Sequence, residues 1–405
     1  MKFLLILTSY PKSIEEELKS CCKNINLSVA AEHFQMSLID GFMRNDAVFS
    51  VISFPMLPSF PLRYKKLYTQ QADYDYEGRI VGKIHSFCSL PLIKDYSIKY
   101  RLRHAVSKWI KQNIKDDEQF AVITYTPTSY LIEAVAPLKK RYHNMLLATV
   151  VTELVDFTYM AKANQSFLKS LQQKRERKRV WANYQHIDKY ILLTKQMEDR
   201  IPQAVGRSAI VEGIYSGTPC KINSEVKKGR YVLYTGALQE YVGIKELVDA
   251  FMLIEGPDLR LVICGHGASA NYIKEKAQVD KRIVFKGVVK RDEAVNLQSK
   301  ASVLVNPRMP SQDFTKYSFP SKTMEYLASG TPVVGYMLSG IPEEYRKHLF
   351  VPEEASVKGL SEKINEVFHL DDVILTEHAT KAQDFILKNK TAEKQVRRII
   401  EFLEK

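Results

Sequence analysis

Ten short apolar runs punctuate the chain: residues 3–7, 47–53, 120–124, 145–151 and 190–193, then 231–234, 259–264, 283–285, 302–305 and 332–335. Each is nearly continuous in Val, Ile, Leu or Phe and is bounded by Gly, Pro or Thr, as expected of strands covered on both faces. Stretches of helical periodicity separate them. This alternation predicts an α/β protein of parallel, doubly wound sheets. The runs fall into two groups of five on either side of the polar, turn-rich stretch Gly213 to Pro219, which places the main linker at 205–228. The expected domains are 1–205 and 206–385, with a C-terminal helix at 386–405 docking near the domain junction. That helix starts after Thr391, a potential N-cap, and carries Val396, Ile399, Ile400 and Leu403 on one face.

Composition narrows the class. With 405 residues, 45% of them hydrophobic and 26% charged, the chain is an ordinary packed protein rather than a disordered or collagen-like one. Five cysteines, Cys21, Cys22, Cys88, Cys220 and Cys264, form neither a C-x-x-C pair nor a zinc-finger spacing, so neither a disulfide framework nor a structural zinc is expected and a cytoplasmic location fits. The opening Phe3 to Leu7 is too short for a signal peptide and reads as a first strand. No other run approaches the roughly 20 apolar residues of a spanning helix, so membrane contact is expected to be peripheral.

Charge adds a partner. The formal net charge is +13, and residues 1–200 hold 30 Lys and Arg against 20 Asp and Glu, whereas the rest hold 29 against 26. The densest basic stretch, 162–181, interleaves Lys162, Lys169, Lys174, Arg175, Arg177, Lys178 and Arg179 with Phe167, Leu168, Leu171, Val180 and Trp181. It reads as a basic helix suited to an anionic membrane surface, where each basic residue contributes on the order of 1 kcal/mol, or else as a solvated basic face. Nucleic acid is not expected as a partner, because no zinc finger, RNP-like or helix-turn-helix pattern accompanies the charge.

The candidate chemistry lies after the predicted strands of the second half, where open parallel sheets bind ligands. Gly236 and Gly243 follow the strand at 231–234, and Gly265-His266-Gly267 follows the next without completing G-x-G-x-x-G, which disfavours a nicotinamide dinucleotide. Asn306-Pro307-Arg308 follows the strand at 302–305. The run Tyr317-Ser318-Phe319-Pro320-Ser321-Lys322 then opens a helix, with Pro320 expected in or just before the first turn and Ser321 serving its free N–H groups, and Gly330 ends it. A cation such as Lys322 in a first turn is disfavoured by the helix dipole, and a bound diphosphate would offset this. Glu325, three residues on, shares a face with Lys322 and suits ribose hydroxyls. The single D-x-D, Asp73-Tyr74-Asp75, reads as a solvated loop, and no metal is expected.

Together these segments resemble the donor-binding half of the family-four retaining glycosyltransferases of the GT-B fold, across most of 205–365, and in particular the bacterial polysaccharide-assembly enzymes with a Phe-Pro-Ser-Lys-x-x-Glu-Tyr signature. In the first half, Val150-Val151-Thr152-Glu153-Leu154 and Leu192 to Met197 are similar to the same subset. The resemblance implies two Rossmann-like doubly wound parallel-sheet domains facing across a cleft. It assigns the ribose to Glu325, a backbone contact with the nucleobase to Val289, and the diphosphate to Phe319, Pro320, Ser321 and Lys322 with Arg308, beside the Gly236 and Gly265 turns. The chain departs from the family where Tyr317 stands for a glutamate that contacts the donor sugar, and where Ala237 and Val242 stand for an Arg and a Lys. Lys245, Lys322 and Arg308 are the cations available to substitute. In the first domain Thr152-Glu153 replaces a His-Asp pair, making Glu153, with Lys322, the candidate catalytic residue.

The function so implied is retaining transfer of a sugar from a nucleotide-diphosphate sugar, a UDP-sugar being favoured, to a hydroxyl of a glycan acceptor, most plausibly lipid-diphosphate-linked, in capsule or exopolysaccharide synthesis at the inner membrane face. No cofactor beyond the donor substrate is implied. Alternatives are a sugar-nucleotide epimerase of the same fold, a catalytically silent GT-B protein and a basic nucleic-acid-binding protein.

Overall fold

The computed structural model describes residues 1–23, 29–158, 167–217, 230–310 and 313–405. The chain divides into two compact units, one of residues 1–214 with 392–405, the other of residues 215–391.

The first unit is built on an eight-stranded sheet of β1 (Lys2–Leu7), β2 (Phe49–Ser53), β3 (Ala72–Tyr76), β4 (Arg79–Ile84), β5 (Phe120–Tyr125), β6 (Met145–Val151), β7 (Lys189–Leu192) and β8 (Ser208–Ile210), in the order β3-β4-β2-β1-β5-β6-β7-β8. All neighbours are parallel except β3 and β4, an antiparallel edge hairpin. Its two-residue turn, Glu77-Gly78, has both φ angles positive (50° and 80°), as a right-twisted hairpin requires. Apart from Lys2 at the start of β1 and Thr124 in β5, these two central strands are apolar and nearly wholly buried, which follows from helices covering both faces.

The hairpin departs from the sequence expectation. Asp73-Tyr74-Asp75 is not a loop but lies in β3, with Tyr74 buried and hydrogen-bonded to Ser9 Oγ (2.8 Å) while Asp73 is exposed. An edge strand alternates buried and polar positions, so a search for continuous apolar runs passes over it. The domain boundary also differs from 205. β8 pairs with β7 inside the expected linker, and residues 218–229 of that linker lie outside the described residues. The C-terminal helix, Ala392–Glu404, buries Val396, Ile399 and Leu403 in the core of the first unit, whereas residues 386–389 finish the preceding helix, Asp372–Asn389, in the second.

The second unit carries five parallel strands, β9 (Tyr231–Ala237), β10 (Arg260–His266), β11 (Ile283–Gly287), β12 (Val303–Asn306) and β13 (Val333–Gly335), in the order β11-β10-β9-β12-β13. The order reverses between β9 and β12, which opens a crevice at their carboxyl ends. Helices Ile244–Met252, Ala270–Val279, Arg291–Lys300 and Ser321–Leu327 join or follow these strands. Among the described residues no helix is long and apolar enough to cross a membrane.

Candidate active site

The crevice of the second unit is shaped by bare backbone. Gly265 has φ 146°, and a Cβ built on it would lie 1.8 Å from Gly236 O; one on Gly243, φ 81°, would lie 2.1 Å from Pro307 O. Only glycine lets the ends of β9, β10 and β12 approach this closely. A Cβ on Gly236 would sit 3.4 Å from Lys322 Cε, so the lysine lies across the end of β9.

Lys322 Nζ is 3.2 and 3.1 Å from the two oxygens of Glu325, the shared helix face expected from their spacing. Gln298, buried on the helix Arg291–Lys300, donates to Glu325 Oε1 (2.7 Å) and to Thr235 Oγ1 (3.0 Å) on β9. Thr235 is fixed in turn by Tyr326, whose hydroxyl accepts from Thr235 N (2.8 Å) and donates to Thr235 O (3.0 Å). Burial works against a charge on Glu325, but Lys322 and the Gln298 amide outweigh it and hold the carboxyl below its ordinary range. The pair offsets within the protein the dipole repulsion expected for a lone Lys322.

Arg308, at the end of β12, extends this line of cations. Its guanidinium lies over Tyr241 and Phe314, 5.9 and 5.6 Å from their ring centroids, and Nε is buried without a hydrogen bond. Burial pushes its pKa down, and the neighbouring Tyr234 and Tyr241 pull it back. Tyr234 donates to Ala237 O (2.7 Å) beside Gly236, linking Arg308 to the end of β9.

The structure thus gathers Gly236, Gly265, Arg308, Lys322 and Glu325 at one crevice. It does not gather every expected residue. Lys245 is held by Glu240 (2.6 Å) and lies over the Tyr272 ring (5.6 Å), so it is engaged on the helix surface. Phe319 packs into the core against Tyr345, which leaves only its backbone for a ligand. Pro320 is the N-cap and carries no N–H; Ser321 is the exposed first helical residue and makes no capping bond, because the proline takes the position the serine was expected to fill. Thr323 N–H is already bonded to Pro320 O (2.8 Å). Tyr317 is buried in the turn Asp313–Tyr317, and Val289 packs against the core beyond β11. Gln298 and Tyr326 were not read from the sequence as positioning residues, since a buried amide or phenol within a helix leaves no local pattern.

In the first unit Glu153 is exposed just beyond β6. Burial pushes the Tyr125 phenol up; a hydrogen bond to Thr152 opposes this and the Glu153 carboxylate adds to it, so the three groups are neighbours at the ends of β5 and β6. Next to them Thr126 has φ 71°, a conformation costly for a β-branched residue and found mostly where function requires it.

The basic stretch is only partly available. Lys162 lies outside the described residues. On the helix Phe167–Asn183, Arg179 makes two hydrogen bonds to Glu133 (2.9 and 2.8 Å), which also pairs with Lys99 (2.8 Å). Burial opposes the Glu133 charge, yet these cations hold its carboxyl down at about 2. Glu176 accepts from Ser129 N (3.0 Å) and Oγ (2.6 Å), Val180 is buried and Trp181 packs edge-on to Tyr184. Val180 turns inward and Leu171 is 37% exposed, while Lys174, Arg175 and Lys178 form an exposed basic face.

Comparison with known proteins agrees with this architecture. Residues 220–382 match the family model described as "Glycosyl transferases group 1". No curated protein sequence matches the chain. Among solved structures it resembles HepE of Anabaena in complex with UDP, at 15% identity and a TM-score of 0.62 over 100% of both chains. It also resembles a TarM variant of S. aureus in complex with fondaparinux, alpha-GlcNAc-glycerol and UDP, at 11% identity and 0.58 over 100% of both chains. A third is the pneumococcal O-GlcNAc transferase GtfA in complex with UDP and GlcNAc, at 11% and 0.58 over 100% of this chain and 98% of that one. With two Rossmann-like units and this match, the chain has the GT-B fold, and its residues 220–382 are similar to the group 1 glycosyl transferases.

Proposed function

We propose that the protein transfers a sugar, with retention at the anomeric carbon, from a UDP-sugar to a hydroxyl of a lipid-diphosphate-linked glycan at the cytosolic membrane face, in surface polysaccharide assembly. The observation that carries this reading is the Lys322–Glu325 pair, held by Gln298 across the bare end of β9.

Glu325 binds the ribose hydroxyls through a carboxylate kept ionised, and Val289 meets the base through its backbone. The diphosphate lies over Gly236 and Gly265, against the N–H groups of Ser321 and Lys322 and the cations of Lys322 and Arg308. As the bond from the anomeric carbon to the diphosphate breaks, negative charge grows on the leaving oxygen, and these fixed donors stabilise it. The acceptor oxygen forms the new bond on the face the diphosphate leaves, and its proton passes to the leaving phosphate. Glu153 contributes a polar contact to the acceptor, while Tyr317, buried in its turn, makes no contact with the sugar. The exposed Lys174, Arg175 and Lys178 favour an anionic surface nearby. That TarM, HepE and GtfA were each solved with UDP supports uracil as the base.

Thermal melting with a panel of nucleoside diphosphates tests the donor reading. A ligand at 100 times its Kd adds about 2.7 kcal/mol, a shift of roughly 2–4 °C in a chain of this size. UDP alone is expected to give that shift; a flat response to every base overturns the assignment.

A further inference from the structure

Two loops of the first unit are laced together at the carboxyl edge of its sheet. Residues 55–68 follow β2 and residues 85–93 follow β4. They meet where Phe60 N–H donates to Ser89 O (3.0 Å), where Ser89 N–H donates to Leu67 O (2.8 Å) and at the antiparallel bridge of Tyr68 with Cys88. Ser89 Oγ donates to Lys66 O (2.7 Å), and the Lys94 ammonium reaches back to the Leu57 carbonyl. Tyr64 and Phe87 are fully buried beneath them. The two loops form a lobe that is hydrogen-bonded within itself and anchored through Leu57 and Tyr64 in the core of the first unit.

Its outer surface is nevertheless apolar. Leu62 is 82% exposed, Leu92 85% and Ile93 51%, while Tyr96 and Tyr100, one turn apart on the helix Lys94–Asn113, are 72% and 77% exposed. Single exposed apolar residues are ordinary, but five on one hydrogen-bonded lobe mark an interaction surface. Its charge leans positive: segments 55–68 and 88–103 contain seven Lys and Arg and a single acid, Asp95. Lys66 pairs with Glu17, Lys99 with Glu133, and Lys94 turns to Leu57 O, but Arg63 and Lys65 make no ion pair with an acid among the described residues. Arg63 and Lys65 are exposed between the aliphatic and aromatic positions.

We propose that this lobe docks the enzyme on an anionic lipid bilayer. Leu62, Leu92 and Ile93 enter the boundary of the acyl chains, Tyr96 and Tyr100 sit at headgroup level, and Arg63 and Lys65 meet lipid phosphates. Aliphatic tips, amphipathic rings and snorkelling cations correspond to the three depths of a bilayer interface. The charge selects anionic lipid over a zwitterionic surface. This contact differs from that of the helix Phe167–Asn183, where among the described side chains Val180 is buried, Leu171 is the one large apolar residue exposed, at 37%, and the exposed surface is mainly basic. Loops after parallel strands leave one edge of a sheet, so the lobe shares its edge with Tyr125 and Glu153. The benefit for a lipid-linked acceptor rests on the proposed function; the docking surface does not.

The test is flotation of the full chain with phosphatidylglycerol-containing vesicles and with phosphatidylcholine vesicles. Wild type is expected to float with the anionic vesicles, and the double variant Leu92→Ser, Ile93→Ser to lose at least roughly tenfold in partitioning while keeping its UDP-induced melting shift. Wild type that stays in solution, or a double variant that floats like wild type, overturns the proposal. So does a self-association of the chain that the same two substitutions abolish while vesicle binding persists. Floating without any nucleoside diphosphate response would sink the donor reading and leave the docking surface standing.

Discussion

At the reversal of strand order in the second unit, between β9 and β12, the strand ends are Gly236-Ala237 and Asn306-Pro307, and on the other side of β9 a Cβ on Gly265 would overlap the Gly236 oxygen. At the same place in the first unit, between β1 and β5, the ends are Thr8-Ser9 and Tyr125-Thr126, all bearing side chains, and Gln35 Oε1 accepts from Thr8 N (2.7 Å) and Ser9 N (3.2 Å). One unit exposes backbone at its crevice and the other fills the position with an amide. Backbone that must approach a phosphate constrains residue type, because any side chain would intervene. Side-chain contacts with a glycan impose no comparable rule, so the two units carry very different amounts of recognisable sequence.

The largest expected effect breaks the second unit at this point. Gly265→Val places atoms where Gly236 O sits and should cost about 3 kcal/mol or more in urea unfolding, whereas Gly78→Ala in the first unit, at a turn with nothing within 4 Å, should cost only about 1 kcal/mol. Equal losses would show that the crowding at the crevice is not structural. Next come Lys322→Ala and Glu325→Ala, each expected to lower sugar transfer at least roughly tenfold, about 1.4 kcal/mol of transition-state stabilisation, with the melting temperature nearly unchanged. Wild-type turnover in both would remove the donor site from this crevice.

Smaller effects sharpen the comparison. In the first unit Arg179→Ala should cost about 1 kcal/mol of stability and Lys178→Ala less than about 0.5, since only Arg179 is committed to Glu133. The Glu133 carboxyl is held at about 2 against 4.5 when unfolded, so its contribution is complete above about 4.5 and is lost as pH falls through about 2. Acid unfolding of Glu133→Gln should lack that component. The smallest effect is common to both units. His85 lies stacked on Phe54 and His348 on Phe385, and burial, with nearby cations, lowers both imidazoles from 6.5 to about 4. Each keeps its neutral form in the folded state, so its stabilisation is full above 6.5 and declines as pH falls toward 4. NMR titration should give midpoints near 4 for both; a midpoint near 6.5 for either would place that ring in water.

The central strands of both sheets were legible because burial on two faces demands nearly unbroken runs such as Phe3 to Leu7 and Phe120 to Thr124. The hairpin Ala72–Tyr76 with Arg79–Ile84 was not, since an edge pair needs only alternate apolar positions and Asp73 faces outward. β8, three residues long, fell within the expected linker. At the crevice, Lys322 and Glu325 were readable from i, i+3 spacing, while Lys245, equally suggestive in sequence, turned to Glu240, a partner set by the turn between them. Gln298 and Tyr326 act through contacts 27 to 91 residues away in the chain, which no local spacing encodes.

The chain passes between its two units twice, after Ile214 and after Thr391, and on each side the severed ends are neighbours. Tyr215 N–H donates to Lys390 O (2.8 Å) and Tyr215 bridges Thr391, while Gln395 Nε2 donates to Gly213 O (2.8 Å). Residues 215–391 are therefore a cassette set into a host, closed at its own base. Splicing 214 directly to 392 should leave a foldable host, and the excised cassette should still melt later with UDP. On the proposed function, exchanging cassettes between related proteins becomes a two-joint operation expected to change the donor sugar and leave the acceptor side as it was.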